Sequence, residues 1–525
     1  MFTQARRRGP TPKDNETISE LEKKAQALES IPRFIYNPDR NTYGDGALQH
    51  DQVLSVTAWL LSERPTLRQV LADKHPIILI DESQDTMKRV LGALMELNRD
   101  DSAAIALGLI GDHRQRIYLD GHKDLPSLVP GGWATPSLQM NHRSQQRIVS
   151  LVNNIWQADI MGRTQPKTGI LQKARSEKSE GTVRIYVCDT NINAEDKIRM
   201  ERSCAKDMSS ASGDSCWLDH QHGYQLLALE HKLAARRGDF LDAYNALSLI
   251  DKEATRPQGN IENTGPAAVQ ILLRELPALA ACKNSQGEID DFAIIELLNR
   301  YNRLENLAKA DRDFLNKLKE FHEAAKEIIE VSSNPDSTVK EILAPVIRSH
   351  LFEVDDRLRH AFRDNEDIPT TASPKESKEE RRQRGWRALF DVRWAELSRY
   401  HNYLHGKSNL ATHQVVKGSE FPNVMIIMDD LEAGGNLFAY DRLFGAVKLS
   451  KSDLENIENE EETSIDRTLR LLYVTCSRAQ ESLALVLWSS DTKAAIKRIK
   501  DSGWFSEEEI KEVPTPWLPR PVGTY

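Results

Sequence analysis

The sequence predicts an α/β protein built around parallel β-sheet. Several short β-rich runs are apolar on both faces, which is typical of strands that a parallel sheet buries on both sides. Stretches with helical spacing separate these runs. Three of them have acidic residues at their carboxyl end, and open α/β sheets bind ligands at that end of their strands. The predicted strands are 77–80, 107–110, 183–187, 424–428 and 483–487.

The first part of the chain changes from polar to helical. Residues 1–48 are polar and are predicted to form an N-terminal tail. From residue 51 to 71 apolar side chains recur at helical spacing, and Pro65 interrupts the pattern, so two helices are expected there.

The middle of the chain is predicted to be mostly helical. Residues 225–237 are expected to form a strand that leads into a basic helix. Residues 240–400 then show helical periodicity and contain no aliphatic strand run. This stretch interrupts the strand-bearing parts of the chain, as an inserted helical subdomain would.

Composition excludes several classes of protein. The 525 residues include 70 Lys and Arg and 79 Asp and Glu, a net charge of −9, which argues against a histone-like basic coat but not against a local basic groove. No run approaches the ~20 apolar residues of a membrane span. The five cysteines form no CxxC pair, which is typical of a reducing compartment and favours a cytoplasmic location.

Five polar segments carry the candidate chemistry. They are DESQD (81–85), GDHRQRIY (111–118), NHRS (141–144), THQVVKGSEFP (412–422) and LLYVTCSRA (471–479). In the first, one carboxylate after a strand is suited to hold Mg²⁺ through water, and the adjacent one is suited to orient an attacking water. Alone, such an acidic pair is weak support for a site, but the order of the other four segments strengthens it.

These five segments, in this order, resemble motifs II to VI of the UvrD/Rep-type superfamily 1 DNA helicases. The resemblance implies two RecA-like domains of the P-loop NTPase type, the first incomplete and the second carrying the helical insertion. The predicted domains are a partial first RecA-like domain with motifs II, III and IV (49–175), the start of the second (176–239), the insertion (240–400), the remainder of the second with motifs V and VI (401–495) and a C-terminal tail (496–525).

The resemblance also implies catalytic roles for particular residues. Asp81 would coordinate Mg²⁺ through water, and Glu82 would activate the hydrolytic water. Gln115 would contact the γ-phosphate of ATP. Arg143 and Arg478 would act as arginine fingers across the inter-domain cleft, where two planar cations suit the charge that spreads over the transferred phosphoryl group.

Nucleotide contacts are implied at four further positions. His142 stands where the family usually has a tyrosine that stacks on adenine. Lys417 and Gly418 would form a loop that faces the nucleotide and the DNA, and Glu420 would hydrogen-bond the ribose.

Two aromatic side chains are implied to lie along the single-stranded DNA. Tyr118 and His413 would stack on bases, each such contact being worth ~1–3 kcal/mol. The alternatives are that Tyr118 is a core aromatic and that His413 is a structural histidine with its hydrogen bonds satisfied.

One family motif has no counterpart in the sequence. The P-loop, GxxxxGK[ST], holds phosphates with backbone amides and a lysine, and no segment before Asp81 matches it. The single Gly406-Lys407-Ser408 lacks the required preceding glycine. The first domain is therefore expected to be truncated at its front. The chain is then a fragment, half of a split enzyme, or a degenerate homologue that binds DNA or a partner protein without hydrolysis.

The resemblance implies an ATP-dependent 3′-to-5′ DNA helicase or translocase in repair, recombination or anti-phage defence, with ATP and Mg²⁺ as cofactors. Its partners would be single-stranded or 3′-tailed duplex DNA and a protein that supplies the P-loop or a nuclease. The alternative is a catalytically impaired DNA-binding or scaffold protein, or a fragment that needs a separately encoded P-loop.

Overall fold

The computed structural model describes residues 28–37 and 46–514, apart from short gaps, together with residues 18, 23, 25 and 26. The gaps are 100–104, 118–119, 159–170, 252–254, 256–266, 305–313, 364–370, 372–375 and 435–437. Contacts divide the chain into two compact units. Unit 1 comprises Met1–His113 and Tyr118–Leu128, and unit 2 comprises Arg114–Ile117 and Val129–Tyr525.

The described part of unit 1 includes three α-helices and a two-stranded parallel sheet. The elements are α1 (His50–Glu63), α2 (Pro65–Lys74), β1 (Ile77–Ile80), α3 (Lys88–Arg99) and β2 (Ala106–Leu109). Pro65 is the first residue of α2, a position where its missing N–H costs nothing. The two predicted helices and the two predicted strands of this region are therefore confirmed.

The sheet of unit 1 buries one of its faces. Ile78, Ile80 and Leu107 pack against the helices, whereas Ile77 and Leu79 of β1 are 67% and 66% exposed. Since strand side chains alternate between faces, the helices of unit 1 cover the face that carries Ile78 and Ile80.

Unit 2 is built on a six-stranded sheet in which every neighbouring pair of strands is parallel. The strands of unit 2 are β3 (Met140–Asn141) and β4 (Lys173–Ala174), which pair with each other, then β5 (Thr182–Asp189), β6 (Gln225–Ala228), β7 (Leu410–Thr412), β8 (Phe421–Asp429), β9 (Ala479–Ser489) and β10 (Ile510–Glu512). Their order in the six-stranded sheet is β10-β5-β9-β8-β6-β7. Three predicted runs form the long strands β5, β8 and β9, and a predicted shorter strand forms β6.

Both faces of this sheet are buried, as the uninterrupted apolar runs predict. Alternate residues of β8 belong to different cores: Met425 and Ile427 lie in one, and Val424, Ile426 and Met428 in the other. The prediction of an α/β fold with parallel sheets is confirmed.

Only helices occur between β6 and β7 among the described residues. They are α6 (His231–Arg237), α7 (Leu241–Ile250), α8 (Ala267–Gln270), α9 (Leu276–Ala280), α10 (Asp291–Arg300), α11 (Phe314–Ser332), α12 (Val339–Ser349), α13 (Asp356–Arg363), α14 (Lys378–Asp391) and α15 (Trp394–Leu404), with a π-helical turn at Ile271–Glu275. In the described part of the chain, no helix is both long and apolar enough to cross a bilayer.

The remaining helices of unit 2 flank the sheet. They are α4 (Gln146–Gln157), α5 (Ala194–Ser212), α16 (Asp430–Ala433), α17 (Tyr440–Leu443), α18 (Lys451–Glu458), α19 (Ser464–Cys476) and α20 (Thr492–Ser502). The residues expected to form a C-terminal tail include most of α20, the buried Trp504 and Phe505, and β10. Residues 496–514 are thus part of the unit 2 fold, because β10 pairs with β5 and the two aromatic rings fill its core.

The NHRS segment also packs differently from its predicted place in the first domain. The Ser144 hydroxyl donates to the carbonyl oxygen of Ala479 at 2.7 Å, and the Gln145 amide donates to that of Gln480 at 2.8 Å. The next helix, α4, buries Ile148 and Ile155 in the core under β5, β8 and β9. Residues 129 onward therefore belong to unit 2.

Candidate functional site

In unit 1, the acidic pair lies in a turn directly after β1. Oδ1 of Asp81 accepts a hydrogen bond from the Glu82 amide at 2.8 Å, and Gln84 donates to Oε2 of Glu82 at 2.5 Å. Glu82 has a left-handed backbone with φ of 48°. A non-glycine residue pays for this conformation, and such strain concentrates at functional sites.

Two glycines allow this turn to pack closely. A Cβ atom on Gly111 would lie 2.1 Å from Oε1 of Gln84, and one on Gly121 would lie 2.1 Å from the Gln84 carbonyl oxygen. The Ser83 amide donates to the Ile110 carbonyl oxygen at 3.0 Å, which ties the ends of β1 and β2 together. The geometry of the acidic turn therefore depends on both glycines.

The chemistry of Asp81 fits Mg²⁺ that arrives with a nucleotide. Proteins usually hold Mg²⁺ with one or two carboxylates, and waters and phosphates complete its shell. Across the described residues, no three His, Cys, Asp or Glu side chains are grouped so that they could hold a metal. Asp81, directly after β1, is one such carboxylate.

In unit 2, Arg143 lies at the edge of the sheet where β8 and β9 begin. Its Nε donates to Oε2 of Glu420 at 2.7 Å, and its Nη1 donates to the Ser477 carbonyl oxygen at 3.0 Å. Gln480 donates to the other oxygen of Glu420 at 2.9 Å. The Arg143 guanidinium, through its hydrogen bond and its charge, lowers the pKa of Glu420.

Arg478 and Gln115 meet beside this group. Nη2 of Arg478 donates to Oε1 of Gln115 at 3.2 Å and to the Ser477 hydroxyl at 2.8 Å. Its Nε and Nη1 donate to the carbonyl oxygens of Val474 and Ser419. The side chain is only 2% exposed, so all its donor nitrogens are engaged inside unit 2.

Three of the four predicted catalytic side chains therefore lie in one group. Arg143 and Arg478 both contact Ser477, and Arg478 also holds Gln115. Asp81 and Glu82 lie in unit 1. Ser477 and Gln480 were not singled out from the sequence. Ser477 lies beside Arg478 in the same motif and Gln480 directly follows that motif, and this closeness to Arg478 is a usable signal. Ser477 contacts both arginines, through its carbonyl oxygen and its hydroxyl.

His142 is exposed and accompanied by basic side chains. Its Nδ1 lies 3.1 Å from Nη1 of Arg175. Lys178 donates to the carbonyl oxygen of Arg143 at 3.1 Å. Neither Arg175 nor Lys178 carried a motif signal, because they follow β4, away from NHRS in sequence.

The predicted loop at Lys417 and Gly418 is a turn before β8. Gly418 has φ of 83°, a left-handed conformation that favours glycine, and a Cβ there would meet no atom within 4 Å. Lys417 is partly exposed. The turn thus constrains the backbone at Gly418 while leaving open space beside it.

The prediction that His413 stacks on DNA is not supported, because the side chain is completely buried. Its Nε2 lies 3.1 Å from the Leu227 carbonyl oxygen, and its Nδ1 lies 3.2 Å from the Tyr440 hydroxyl. Burial lowers the pKa of His413 to about 4, so the ring is neutral near pH 7. We therefore assign it the structural role. Tyr118 lies outside the described residues.

The carboxyl ends of β5, β8 and β9 carry a different arrangement. Asp429, at the end of β8, forms a buried ion pair of 2.5 Å with Lys197, which also donates to the Thr190 hydroxyl at 3.0 Å. The Lys197 ammonium lies 5.1 Å from the centre of the Trp488 ring. The carboxylate at the end of β8 is thus paired with a buried lysine. The candidate catalytic side chains of unit 2 lie at the opposite ends of the strands, where β8 and β9 begin.

Comparisons with known proteins identify relatives. Residues 2–119 match the model of the UvrD/REP helicase N-terminal domain family, a range that includes nearly all of the predicted polar tail. The chain is 23% identical over 499 residues to the Gabija protein GajB of Bacillus cereus (strain HuB5-5), which covers 89% of this chain and 66% of GajB.

Two RecBCD enzyme subunits RecB share shorter segments. The protein from Chlamydia muridarum (strain MoPn / Nigg) is 27% identical over 27% of this chain and 14% of its own length. That from Chlamydia trachomatis serovar D is 30% identical over 20% of this chain and 11% of its own length. The chain thus spans just under two thirds of GajB and a small part of RecB. These matches confirm the resemblance predicted from the five motifs and identify the chain as a relative of the UvrD/REP helicases.

Proposed function

We propose that this protein acts in an ATP-dependent DNA helicase or translocase that moves 3′ to 5′ on single-stranded DNA. The observation that carries the proposal is that Arg143 and Arg478 both contact Ser477 while Arg478 also holds Gln115. Two guanidinium groups beside an amide are suited to sense and stabilise the charge of a transferred phosphoryl group. The similarity to GajB and RecB favours a role in anti-phage defence, repair or recombination.

The two arginines have different parts in this proposal. Arg143 is 29% exposed in its side chain and makes an ion pair with an exposed glutamate, so it can exchange Glu420 for a phosphate at little cost. Arg478 is buried and holds Gln115 in place. Arg143 is therefore the arginine finger that this geometry supports best, and Arg478 orients the glutamine that contacts the γ-phosphate.

Nucleotide binding would use the residues that the family resemblance implies. ATP brings the phosphates that are cleaved, and its Mg²⁺ neutralises their charge. Asp81 would hold the Mg²⁺ through water, and Glu82 would take the proton of the attacking water. His142 would stack on the base, Lys417 and Gly418 would contact the nucleotide, and Glu420, once released by Arg143, would hydrogen-bond the ribose.

Two RecA-like domains, the first incomplete and the second with a helical insertion, are part of the proposal. Unit 1 would be the incomplete first domain, and the parallel sheet of unit 2 would be the second. The helices between β6 and β7 would form the insertion.

The partners are single-stranded or 3′-tailed DNA, with Tyr118 along the strand, and a second protein. The name of the RecB relatives describes them as subunits of an enzyme, which favours a partner such as a nuclease or a protein that supplies the phosphate-binding loop.

A second candidate function is DNA binding or scaffolding without hydrolysis by this chain alone. It is favoured by the sequence, in which no segment matches GxxxxGK[ST]. In that case hydrolysis would appear only when another polypeptide provides the loop.

The test is ATP hydrolysis with and without oligo-dT, in parallel with DNA binding. We expect DNA-stimulated turnover that falls about 10²–10⁴-fold in Glu82→Gln, the loss typical of a general base. Glu96→Gln, an exposed glutamate of α3, is the matched control and should keep wild-type turnover. Unwinding of a 3′-tailed but not a 5′-tailed duplex would establish the polarity.

Other outcomes distinguish the two functions. DNA binding without turnover by the purified chain supports the second candidate, and recovery of turnover on adding a P-loop-bearing partner would then identify a split enzyme. A chain that neither binds oligo-dT nor hydrolyses ATP contradicts both candidates.

A further inference from the structure

Four residues of the GDHRQRIY motif form a segment that packs in unit 2. Arg114–Ile117 belong to unit 2, although His113 before them and the stretch that ends at Leu128 after them belong to unit 1. The segment contains Gln115, the proposed γ-phosphate contact. The contacts that hold this short segment on unit 2 therefore also determine the position of the Gln115 side chain.

One group of charged side chains contacts this segment. It consists of Arg116, Glu462 and Arg470, and we call it the Glu462 cluster. Oε2 of Glu462 lies 2.6 Å from Nη2 of Arg116, and its other oxygen forms an ion pair with Arg470. Arg470 also donates from Nε to the Arg116 carbonyl oxygen at 3.0 Å. One carboxylate thus holds both the side chain and, through Arg470, the backbone of residue 116.

The cluster is shielded from water. The side chains of Arg116, Glu462 and Arg470 are 4%, 12% and 19% exposed. Burial, and then the charge of Arg116, lower the pKa of Arg470, and burial lowers that of Arg116. Because two guanidinium groups share a single carboxylate, the loss of Glu462 removes the charge that both cations pair with in a largely buried site.

The neighbouring side chains of the segment make contacts of their own. The Arg114 guanidinium lies 5.2 Å from the centre of the Trp156 ring and 5.6 Å from that of Tyr473, within the range of cation–π attraction. Gln115 accepts from Arg478. Three consecutive side chains thus engage unit 2, and the charged contact of Arg116 is the least exposed to solvent screening.

We propose that Glu462 is a positioning residue that holds the Arg114–Ile117 segment on unit 2 so that the Gln115 amide meets Arg478. Glu462 does not touch the nucleotide in this scheme, and it acts through Arg116 and Arg470. An effect of Glu462 on ATP hydrolysis depends on the proposed function being correct. Its role in holding the Arg114–Ile117 segment on unit 2 does not.

Hydrogen exchange measured by mass spectrometry tests the holding role without any activity. In Glu462→Gln, which keeps the shape of the side chain and removes its charge, we expect amides of 114–117 to exchange about tenfold faster, equivalent to ~1.4 kcal/mol of local opening. Glu462→Asp should restore part of the protection. Glu458→Gln, at the exposed end of α18, should match the wild type.

A second variant distinguishes a local effect on the segment from a general loss of stability. The double change Arg116→Gln with Glu462→Gln removes one cation together with the carboxylate, so it leaves less uncompensated charge. It should melt closer to the wild type than Glu462→Gln alone and still show faster exchange in 114–117. Faster exchange across the whole of unit 2 in both variants would overturn a specific positioning role.

Activity separates this inference from the proposed function. If the wild-type protein hydrolyses ATP, Glu462→Gln should lower the increase in ATP turnover caused by oligo-dT more than it lowers the ATP turnover measured without DNA. Unchanged exchange in 114–117 overturns the inference whatever the activity, and faster exchange with unchanged DNA stimulation overturns the link to coupling. If the wild-type protein hydrolyses no ATP even with a P-loop-bearing partner, the proposed function is contradicted. Faster exchange of 114–117 in Glu462→Gln would still support the holding role in that case.

Discussion

Arg478 donates a hydrogen bond of 3.2 Å from Nη2 to Oε1 of Gln115, a residue 363 positions earlier in the chain. The contact joins the last of the five motifs to the second. It uses a guanidinium whose remaining donors are already bonded to the carbonyl oxygens of Val474 and Ser419 and to the Ser477 hydroxyl. The two candidate arginine fingers are therefore unequal: Arg478 is built into the core, and Arg143 is held at the surface.

Replacing Arg143 by alanine is expected to reduce activity far more than stability. Its ion pair with Glu420 is partly exposed, and such pairs contribute about 0.2–1 kcal/mol. The loss of an arginine finger lowers turnover about 10³–10⁵-fold. Steady-state ATP hydrolysis, under conditions where the wild type turns over, and thermal melting would measure the two effects.

The matched control for this prediction is Arg199→Ala. Arg199 is also an ion-paired arginine, but it lies on the exposed surface of α5. It should leave both turnover and melting temperature near their wild-type values. Wild-type turnover in Arg143→Ala would show that this side chain is not a finger.

Replacing Arg478 by alanine is expected to cost much more stability. The change removes the hydrogen bonds that the buried guanidinium donates to the carbonyl oxygens of Val474 and Ser419 and to Gln115, and a hydrogen bond to a charged group contributes about 1.5–3 kcal/mol. We therefore expect the free energy of unfolding to fall by about 3 kcal/mol or more, against less than ~1 kcal/mol for Arg143→Ala. Denaturant titration of the two variants side by side checks the difference, and equal losses would contradict the buried role of Arg478.

The buried pair of Lys197 and Asp429 leads to a prediction about stability alone. Lys197→Met removes the cation and leaves a carboxylate that is fully buried, which costs about 3–5 kcal/mol. The double change Lys197→Met with Asp429→Asn removes the stranded charge and should recover part of that loss. A double-mutant cycle from denaturant unfolding measures the coupling.

Lys206→Met tests whether the effect is specific to the pair. Lys206 lies on the same helix, α5, and is exposed, so its replacement should change the free energy of unfolding by less than ~0.5 kcal/mol. Additive losses in the Lys197 and Asp429 variants would mean that the two groups do not stabilise each other.

The sequence predicted those strands well that consist of a continuous apolar run. The runs 183–187, 424–428 and 483–487 became β5, β8 and β9 because an aliphatic run long enough to cross a sheet has few other stable places in a folded chain. By contrast, β10 is three residues long and contains Lys511 and Glu512. Its pairing with β5 depends on tertiary contact, which no local pattern reveals.

The site was predictable in residue type but not in arrangement. Motif order identified Gln115, Arg143 and Arg478, and the structure brings these three together. Chain proximity suggested that NHRS belongs with the first domain, whereas Ser144 is bonded to Ala479 at the start of β9. Glu462 lies outside every motif, and only the fold shows that it faces Arg116.

His413 predicts a pH dependence of stability. Its pKa is about 4 in the folded protein against about 6.5 in an unfolded chain. Between these values the unfolded state binds the proton and the folded state does not, so stability is complete above about pH 6.5 and falls as the pH drops towards 4. The shift corresponds to at most about 3 kcal/mol.

The change His413→Gln should reveal this contribution. The variant is expected to be less stable than the wild type at pH 7.5, because the contacts with Leu227 and Tyr440 are disturbed. Its stability should fall less between pH 7.5 and 4.5, so the two curves approach each other. Thermal melting across this range measures the difference, with His350→Asn, at an exposed left-handed position, as the control. Parallel curves for wild type and His413→Gln would refute a buried neutral histidine, and a large loss of oligo-dT affinity in a folded His413→Gln would favour the DNA contact instead.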